Sequence, residues 1–388
     1  MKIKLASNTI PNSHLESLAN WVKTFPRLTK GSKTEDFEKE FSKYLGVKFT
    51  RLVNSGSSAN LLIAASNLFY KKLKNKNVAI PAVSWSTTLS PFIQLGYTPH
   101  LVDCDPINLG MNIDHLHSLI KEEQISTLIL VHVLGHDSNI EKIIDLCEEN
   151  DIRVFEDTCE SIGSVCRNQK LGSFGLASSF SFYYGHHIST IEGGAICGND
   201  LEFMELVTSL RSHGWSRDLN EKLRNDLTRK YEVSDFRNLY SFYYPGFNLR
   251  STEINAYLGL LQLDLIESYC LKRSKLFKLY KERLKKFWCQ CSDCEFISSF
   301  AYGTLVENPD AVWRSLDSVG IESRPLICGS MGLQPFWREI NKSYSSFQYA
   351  DQVHNYGIYL PINADMTEED VNKVCDEFNK VATPYYFI

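Results

Sequence analysis

Ser179-Phe-Ser-Phe-Tyr-Tyr-Gly-His-His-Ile-Ser-Thr-Ile-Glu-Gly-Gly-Ala195 is the most informative stretch of this 388-residue chain. Its apolar ends predict strands at Phe180–Tyr184 and Gly194–Cys197, and the polar residues between them predict a turn. The turn carries a histidine pair, His186 and His187. Because imidazole titrates near neutral pH, the pair could carry protons, bind a metal or simply complete the turn.

Further strands are predicted upstream, each a short apolar run. They are Thr50–Val53, Val78–Ile80, Pro99–Val102, Thr127–Val133 and Arg153–Phe155. Amphipathic stretches lie between these runs, for example Ser58–Lys74 and Ile140–Asn150. Alternating strands and helices are typical of an α/β domain with a mostly parallel sheet. We therefore expect a large α/β/α domain over residues 1–250.

The pattern changes after residue 250. Ser251–Phe287 predicts one very long helix or two helices in tandem, with an apolar face formed by Ile254, Leu258, Leu261 and Leu265. The rest mixes short strands with helices such as Thr367–Val381, whose Thr-Glu-Glu-Asp start indicates an N-terminal cap. We expect a smaller C-terminal α/β domain over residues 251–388, including the long connecting helix.

Three motifs follow predicted strands and could hold a flat, phosphorylated ligand. Asn54-Ser-Gly-Ser-Ser-Ala-Asn60 opens a helix, whose free N–H groups favour a phosphate, although an ordinary capped turn has the same pattern. Trp85 could stack on a ring at the crevice beyond the strand ends, or lie in the core. Asp157 could pair with a pyridine nitrogen, or cap a helix.

Composition and charge narrow the class of protein. A net charge of −5 gives no electrostatic footprint for nucleic acid. No apolar run is long enough to span a membrane and the N-terminus lacks a signal-peptide core, so we expect a cytoplasmic protein. The eleven cysteines then predict free thiols. Cys289, Cys291 and Cys294 could bind a metal, but no fourth ligand is evident, so we expect no metal site.

In their order and spacing, the glycine-serine turn, Trp85, Asp157 and the 179–195 hairpin resemble the DegT/DnrJ/StrS sugar aminotransferases. The resemblance spans nearly the whole chain and implies the α/β fold of fold-type I pyridoxal-phosphate aminotransferases. It also implies pyridoxal 5'-phosphate and pyridoxamine 5'-phosphate as cofactors. His186 stands where the family places the lysine that holds the cofactor covalently, and residues 171–221 contain no lysine. In this detail the chain resembles the sugar 3-dehydratases of the family.

The resemblance also implies roles for other residues, position by position. Those that match cofactor-binding residues are Gly56, Ser57, Trp85, Asp157, Glu160, Ser181 and Asn248. His186 is the expected catalytic proton carrier, and Arg250 matches the arginine that binds the carboxylate of L-glutamate. Arg217 and Arg324 are candidates for the nucleotide phosphates. Because Asn248 matches a residue that reaches the neighbouring subunit's site, we expect a homodimer with shared active sites.

The activity implied is removal of the C3 hydroxyl from a nucleotide-linked 4-keto-6-deoxy sugar, with glutamate regenerating pyridoxamine phosphate. GDP-4-keto-6-deoxy-D-mannose is the leading substrate, on a route to deoxysugars of surface polysaccharides. The dehydratases for CDP-sugars carry a Cys-x-Cys group for an iron–sulfur cluster, and the matching stretch His213-Gly-Trp-Ser-Arg-Asp-Leu-Asn220 has no cysteine. Alternatives are a CDP- or UDP-linked sugar, an aminotransferase that uses another lysine, or a cofactor-binding paralogue without turnover.

Overall fold

The computed structural model describes residues 2–388 and is built around a seven-stranded sheet. The strands up to residue 198 are β1 (Phe49–Val53), β2 (Asn77–Pro81), β3 (Thr98–Val102), β4 (Thr127–Val131), β5 (Arg153–Asp157), β6 (Val165–Cys166), β7 (Gln169–Lys170), β8 (Ala177–Ser181) and β9 (Gly194–Gly198). The sheet order is β1-β9-β8-β5-β4-β2-β3, and β6 pairs with β7 in a separate ribbon. Within the seven-stranded sheet, β9 runs antiparallel to β8 and β1, whereas the other neighbouring strands are parallel. The predicted mostly parallel sheet is confirmed.

Helices cover both faces of this sheet. The helices up to residue 250 are α1 (Asn12–Val22), α2 (Ser32–Leu45), α3 (Gly56–Phe69), α4 (Ser86–Gln94), α5 (Ile113–Glu123), α6 (Ile140–Glu149), α7 (Leu201–Arg211), α8 (Glu221–Lys230) and α9 (Asp235–Asn238). Alternate residues of β4 show the two layers. Ile129 and Val131 join the core formed with α3, α4 and α7, while Leu128 and Leu130 join the core formed with α5 and α6. The α/β/α arrangement is therefore confirmed.

Beyond residue 250 the chain forms a second, smaller sheet with its own helices. The elements are α10 (Glu253–Leu263), α11 (Ile266–Arg283), β10 (Tyr302–Leu305), α12 (Pro309–Ser318), β11 (Arg324–Pro325), α13 (Pro335–Asn341), α14 (Ala350–Tyr356), β12 (Gly357–Leu360) and α15 (Glu368–Val381). Strand β12 lies between β10 and β11 and packs on α11, α12 and α15. Helix α15 begins with a capping box between Thr367 and Asp370, as its sequence predicted. The domain boundary near residue 250 stays a prediction.

The predicted strand Phe180–Tyr184 is wrong in its position, because β8 ends at Ser181. Ser181 pairs with Gly194, the first residue of β9, so the ladder stops there. The next two tyrosines, Tyr183 and Tyr184, are exposed in the turn that leads to the histidine pair. Their β-propensity is overridden by the register that β9 imposes.

The predicted long helix is two helices in tandem, α10 and α11, which was one of the two alternatives. Of the four predicted apolar-face residues only Leu258 is buried, and the others are half-buried. The face of α10 that packs against α2 contains the buried Gly259. A Cβ atom on Gly259 would lie 2.6 Å from the Phe37 ring, so a small residue makes this contact. None of the helices within residues 2–388 has both the length and the apolar character that a membrane crossing requires.

Candidate functional site

Asp157 lies at the carboxyl end of β5, in the middle of the sheet, and is 6% exposed. Its Oδ2 atom accepts hydrogen bonds from Asn60 Nδ2 at 2.8 Å and from Thr88 Oγ1 at 2.7 Å. Its Oδ1 atom accepts one from the Cys159 N–H at 3.2 Å. Residues 158–164 form turns rather than a helix, so the alternative that Asp157 caps a helix is wrong. These bonds fix a carboxylate where ligands of such sheets bind.

The glycine-serine turn forms the N-terminus of α3 and lies against the end of β8. Ser55 caps the helix by accepting a hydrogen bond from the Ser58 N–H at 3.0 Å. A Cβ atom on Gly56 would lie 2.7 Å from the Cβ of Ser181 and 3.0 Å from Cys159 Sγ, so only glycine fits. Ser57 is exposed at the helix start. Gly56, Ser57 and Ser181 thus come together where the N–H groups and dipole of α3 favour an anion.

Trp85 directly precedes α4 and is 55% exposed. The alternative of a core tryptophan is therefore wrong. Two residues on, Thr87 Oγ1 accepts a hydrogen bond from Ser57 Oγ at 3.0 Å, which links this segment to the turn at α3. The next residue, Thr88, is the one that binds Asp157. An exposed indole in this place can stack on a flat ring.

His186 is half-buried in the turn after β8, and its ring centroid lies 5.3 Å from that of Phe300. Within residues 2–388, its Nδ1 atom is buried without a hydrogen-bond partner. Burial lowers the pKa of His186 to about 4, and the positive charge of Arg273 adds to this, while Asp157 opposes it. The imidazole is therefore neutral near pH 7 and able to accept a proton.

His187 is fully buried and has a structural contact. Its Nε2 atom lies 3.0 Å from the Ser298 carbonyl oxygen, to which it donates a hydrogen bond. Burial holds the pKa of His187 well below its usual value. The second histidine thus ties the turn to the segment before β10, whereas the first is closer to Asp157.

Glu160 follows β5 in the turn after Asp157, and its charge acts on Tyr359 of the C-terminal sheet. Its Oε2 atom accepts a hydrogen bond from the Leu134 N–H at 3.1 Å. Burial raises the pKa of Glu160 to about 7, with a smaller contribution from Asp157. Tyr359 on β12 pairs with Arg324 on β11. The pKa of Tyr359 is raised to about 12, first by burial and then by the charge of Glu160, with Arg324 opposing. Tyr359 is therefore close enough to both Glu160 and Arg324 for their charges to act on it.

Asn248, Arg250 and Arg217 are not brought to Asp157. Arg250 Nε donates to Asn248 Oδ1 at 3.3 Å, and Arg250 bridges to Val53 of the edge strand β1. Three strand spacings separate β1 from β5, a distance of about 14 Å. Arg217 is exposed, with its guanidinium carbon 5.3 Å from the Trp215 ring centroid.

The cysteine cluster is spread out. Cys289 lies beside Tyr302, and Cys294 lies beside Cys166. Cys291 is exposed. All eleven cysteines are in the described part of the chain and are free, as predicted. Residues 2–388 contain no group of three or more His, Cys, Asp or Glu side chains placed to hold a metal.

Four residues of this site were not predicted from the sequence. Asn60 and Thr88 bind Asp157. Asn60 lies one helical turn after the predicted Gly56, and Thr88 lies one helical turn after the predicted Trp85. This spacing could have identified both. Phe300 and Arg273 lie beside the histidine pair. Arg273 had a weaker signal, a charged residue at helical spacing among the apolar residues of α11.

Buried neutral histidines predict loss of stability in mild acid. Burial lowers the pKa of His136 to about 3, with Lys281 adding to the effect, and holds that of His187 well below normal. Below about pH 6.5 the unfolded chain binds protons that the folded one does not. As the pH is lowered, the free energy of unfolding should therefore decrease, by up to about 1.4 kcal/mol per pH unit for each histidine.

Denaturant unfolding between about pH 7 and about pH 5 measures this slope. His136→Gln should make the slope of unfolding free energy against pH shallower, by about the contribution of one bound proton. His117→Gln, at an exposed position on α5, is the control and should leave the slope unchanged. An equal slope in His136→Gln and the parent protein would contradict the prediction.

Solved structures similar to this one include a sugar-nucleotide dehydratase and several aminotransferases. A variant of GDP-4-keto-6-deoxymannose-3-dehydratase with bound GDP-perosamine has a TM-score of 0.88 and 27% sequence identity, covering 97% of this chain and 100% of that one. The same enzyme with a trapped PLP-glutamate geminal diamine has a TM-score of 0.87 and 26% identity, with the same coverage. These similarities confirm the fold-type I architecture predicted for the chain.

Sequence relatives agree with the structures. The GDP-4-keto-6-deoxy-D-mannose 3-dehydratase of Yersinia pseudotuberculosis is 32% identical over 336 residues, 84% of each chain. The enzyme of the same name from Escherichia coli O55:H7 is 32% identical over 384 residues, 94% of this chain and 98% of the relative. The profile of the DegT/DnrJ/EryC1/StrS aminotransferases matches residues 12–379. The chain therefore belongs to the DegT/DnrJ/EryC1/StrS aminotransferase family.

Proposed function

We propose that the protein removes the C3 hydroxyl of a nucleotide-linked 4-keto-6-deoxy sugar, using pyridoxamine phosphate that glutamate regenerates. One observation carries the proposal. His186, a neutral imidazole beside the buried Asp157, occupies the turn where an aminotransferase of this family needs a lysine. Two relatives of 32% identity bear the name of a 3-dehydratase.

The residues present fit pyridoxal phosphate and pyridoxamine phosphate. Asp157 offers a fixed carboxylate to the ring nitrogen, and Trp85 offers an exposed indole to the ring face. Gly56, Ser57 and the N-terminus of α3 offer N–H and hydroxyl groups to the phosphate. Glu160 lies close enough to Asp157 for their charges to interact, which suits a group beside the ring's phenolic oxygen. When bound, pyridoxamine phosphate supplies an amine for the sugar ketone and a ring that spreads negative charge.

Histidine favours elimination over amination for a chemical reason. Imidazole can accept a proton near neutral pH and return it, but it forms no stable Schiff base with an aldehyde. His186 can therefore move protons, including one to the departing C3 hydroxyl, without displacing an aminated product as a lysine would. The sugar then leaves in its 4-keto-3-deoxy form, and the nitrogen that it received from the cofactor amine is released as ammonia by hydrolysis.

GDP-4-keto-6-deoxy-D-mannose is the substrate that we propose. It is the substrate in the names of the two relatives, and a structure similar to this one contains GDP-perosamine. Arg324, which pairs with Tyr359, and the exposed Arg217 are our candidates for the diphosphate, because a guanidinium group can bind two phosphate oxygens at once.

The test is a product analysis. Purified protein is incubated with pyridoxal phosphate, glutamate and GDP-4-keto-6-deoxymannose, and the sugar nucleotide is weighed by mass spectrometry. We expect a product lighter by one oxygen atom, with one ammonia and one 2-oxoglutarate formed for each sugar. An aminated sugar would contradict the role of His186. If only the CDP- or UDP-linked analogue reacts, the proposed reaction would be supported and the proposed GDP-linked substrate would be contradicted.

We also propose that the active unit is a homodimer in which Asn248 and Arg250 serve the neighbouring subunit. Both lie at the outer side of the edge strand β1, away from Asp157 of their own chain. Arg250 has no carboxylate partner among residues 2–388. Its guanidinium group bonds to the neutral amide of Asn248 and lies 3.4 Å from His213 Nε2, so its charge is available to the carboxylate of glutamate.

Sharing of sites predicts complementation between two inactive variants. His186→Asn and Arg250→Ala should each abolish most activity alone, and coexpression should restore about one quarter of the parent activity. The reason is that half of the dimers are mixed and each mixed dimer contains one intact site. Two purification tags isolate the mixed dimers for the assay. Inactive mixed dimers would show that each chain completes its own site.

A further inference from the structure

Arg273 is a buried cation without an anion. It lies on α11 and is 1% exposed, among the largest fully buried side chains of the molecule. Within residues 2–388, no Asp or Glu oxygen lies within 4.0 Å of its guanidinium group. An unpaired buried charge is costly, and an apolar residue of similar volume would suit a helix face that packs in the core. Its presence therefore calls for a reason other than stability.

The guanidinium group is held by carbonyl oxygens of two segments. Its Nη1 atom donates to the carbonyls of Phe300 at 2.9 Å and Ile362 at 2.7 Å. Its Cζ atom lies 5.8 Å from the centroid of the Phe300 ring, within range of a cation–π interaction. Arg273 thus fixes both the backbone and the ring of Phe300.

Phe300 in turn contacts both histidines of the turn after β8. Its ring centroid lies 5.3 Å from that of His186 and 6.3 Å from that of His187. The same segment holds His187 through the Ser298 carbonyl. Arg273, Phe300 and the histidine pair therefore form one packed series that ends at the ring we assign to proton transfer.

We propose that Arg273 is a positioning residue for His186, which fixes Phe300 against the imidazole and places a permanent positive charge near it. Both effects keep the ring oriented and neutral, ready to accept a proton. The inference rests on the proposed function of His186, but its effect on the imidazole is measurable without turnover.

The groups that face His186 divide into two sets. Asp157, from the end of β5, favours the protonated ring, as does the backbone of Cys159. Arg273, from α11, favours the neutral ring, and the adjacent His187 is itself neutral because its pKa is well below normal. Burial also favours the neutral ring, and removal of the Arg273 charge takes away one of the two effects that oppose Asp157. The imidazole should therefore bind a proton more readily.

The experiment is a histidine-selective NMR titration of the full-length protein, with the His186 signal assigned from its loss in His186→Asn. Arg273→Met should raise the pKa of His186, because the guanidinium charge lowers it, and should move the acidic limb of the activity profile to higher pH. Arg273→Lys keeps the positive charge, so the pKa of His186 in that variant should stay close to its value in the parent protein. Arg283→Met is the control, because Arg283 lies on the same helix, exposed and paired with Asp376.

An unchanged His186 titration in folded Arg273→Met would overturn the proposal. If that variant does not fold, Phe300→Leu provides the test, since it keeps the guanidinium and removes the ring. Water can then reach the imidazole, and the His186 pKa should move towards its ordinary value, so an unchanged titration here would also overturn the proposal. A shifted titration in a protein that does not dehydrate the sugar would instead refute the proposed function and leave the positioning role intact.

Discussion

Replacing His186 by asparagine should slow dehydration of the keto sugar by about 10²–10⁴-fold, the usual contribution of a general acid–base group. Asparagine occupies a similar volume but carries no titratable nitrogen. Cofactor and nucleotide sugar should still bind, because Asp157, Trp85 and the turn at α3 are untouched. The measurement is a single-turnover assay of enzyme preloaded with pyridoxamine phosphate, so that regeneration by glutamate does not contribute.

The control for this prediction is His117→Asn, at an exposed position on α5, which should react at the parent rate. His186→Lys extends the test, because lysine can bond covalently to pyridoxal phosphate and borohydride would then fix the cofactor to the protein. Sugar dehydration by His186→Asn at close to the parent rate would assign proton transfer to another group. Glu160, whose pKa is raised to about 7, would be the next candidate.

The sequence predicted those parts of the site that local structure determines. The turn at Gly56, Trp85 and Asp157 each follow a strand directly, and carboxyl ends of parallel strands meet at one edge of a sheet. Asn60 and Thr88 lie in the same motifs and required only the geometry of one helical turn. The position of this edge could therefore be inferred without knowledge of long-range contacts.

The surroundings of His186 could not be inferred in that way. Arg273 and Phe300 are far from it in sequence, and their approach depends on how α11 packs beside the segment before β10. The end of β8 also depends on a distant partner, since pairing with Gly194 stops the strand at Ser181. A period-two pattern of aromatic residues gives no sign of that register.

The proposed contacts between subunits were also beyond direct reasoning from spacing. Asn248 and Arg250 follow no strand of the large sheet, and their roles came from family resemblance alone. Their place at the edge strand β1 explains why a single chain does not bring them to Asp157. The two-variant complementation experiment is therefore the measurement that decides their role.

Asp157→Asn should lower turnover by about 10²–10³-fold, a loss typical of removing one preorganised electrostatic group. The amide oxygen can still accept from Asn60 Nδ2 and Thr88 Oγ1, while the NH2 group loses the hydrogen bond from the Cys159 N–H, so two of the three bonds should hold the side chain in place. It lacks the negative charge that keeps a pyridine nitrogen protonated, and the ring then spreads charge less well. Sugar turnover and thermal stability, measured on the same preparations, separate the chemical effect from unfolding.

Asp145→Asn, at an exposed position on α6, is the matched control and should keep full activity. A bound cofactor together with turnover within a few-fold of the parent would contradict the assignment of Asp157 to the ring nitrogen. The same substitution also tests the electrostatics around His186, because Asp157 favours its protonated form. The His186 pKa should therefore fall further in Asp157→Asn, the opposite of its response to Arg273→Met. Opposite shifts from these two substitutions would show that one imidazole lies between an anion and a cation, each with its own effect on proton transfer.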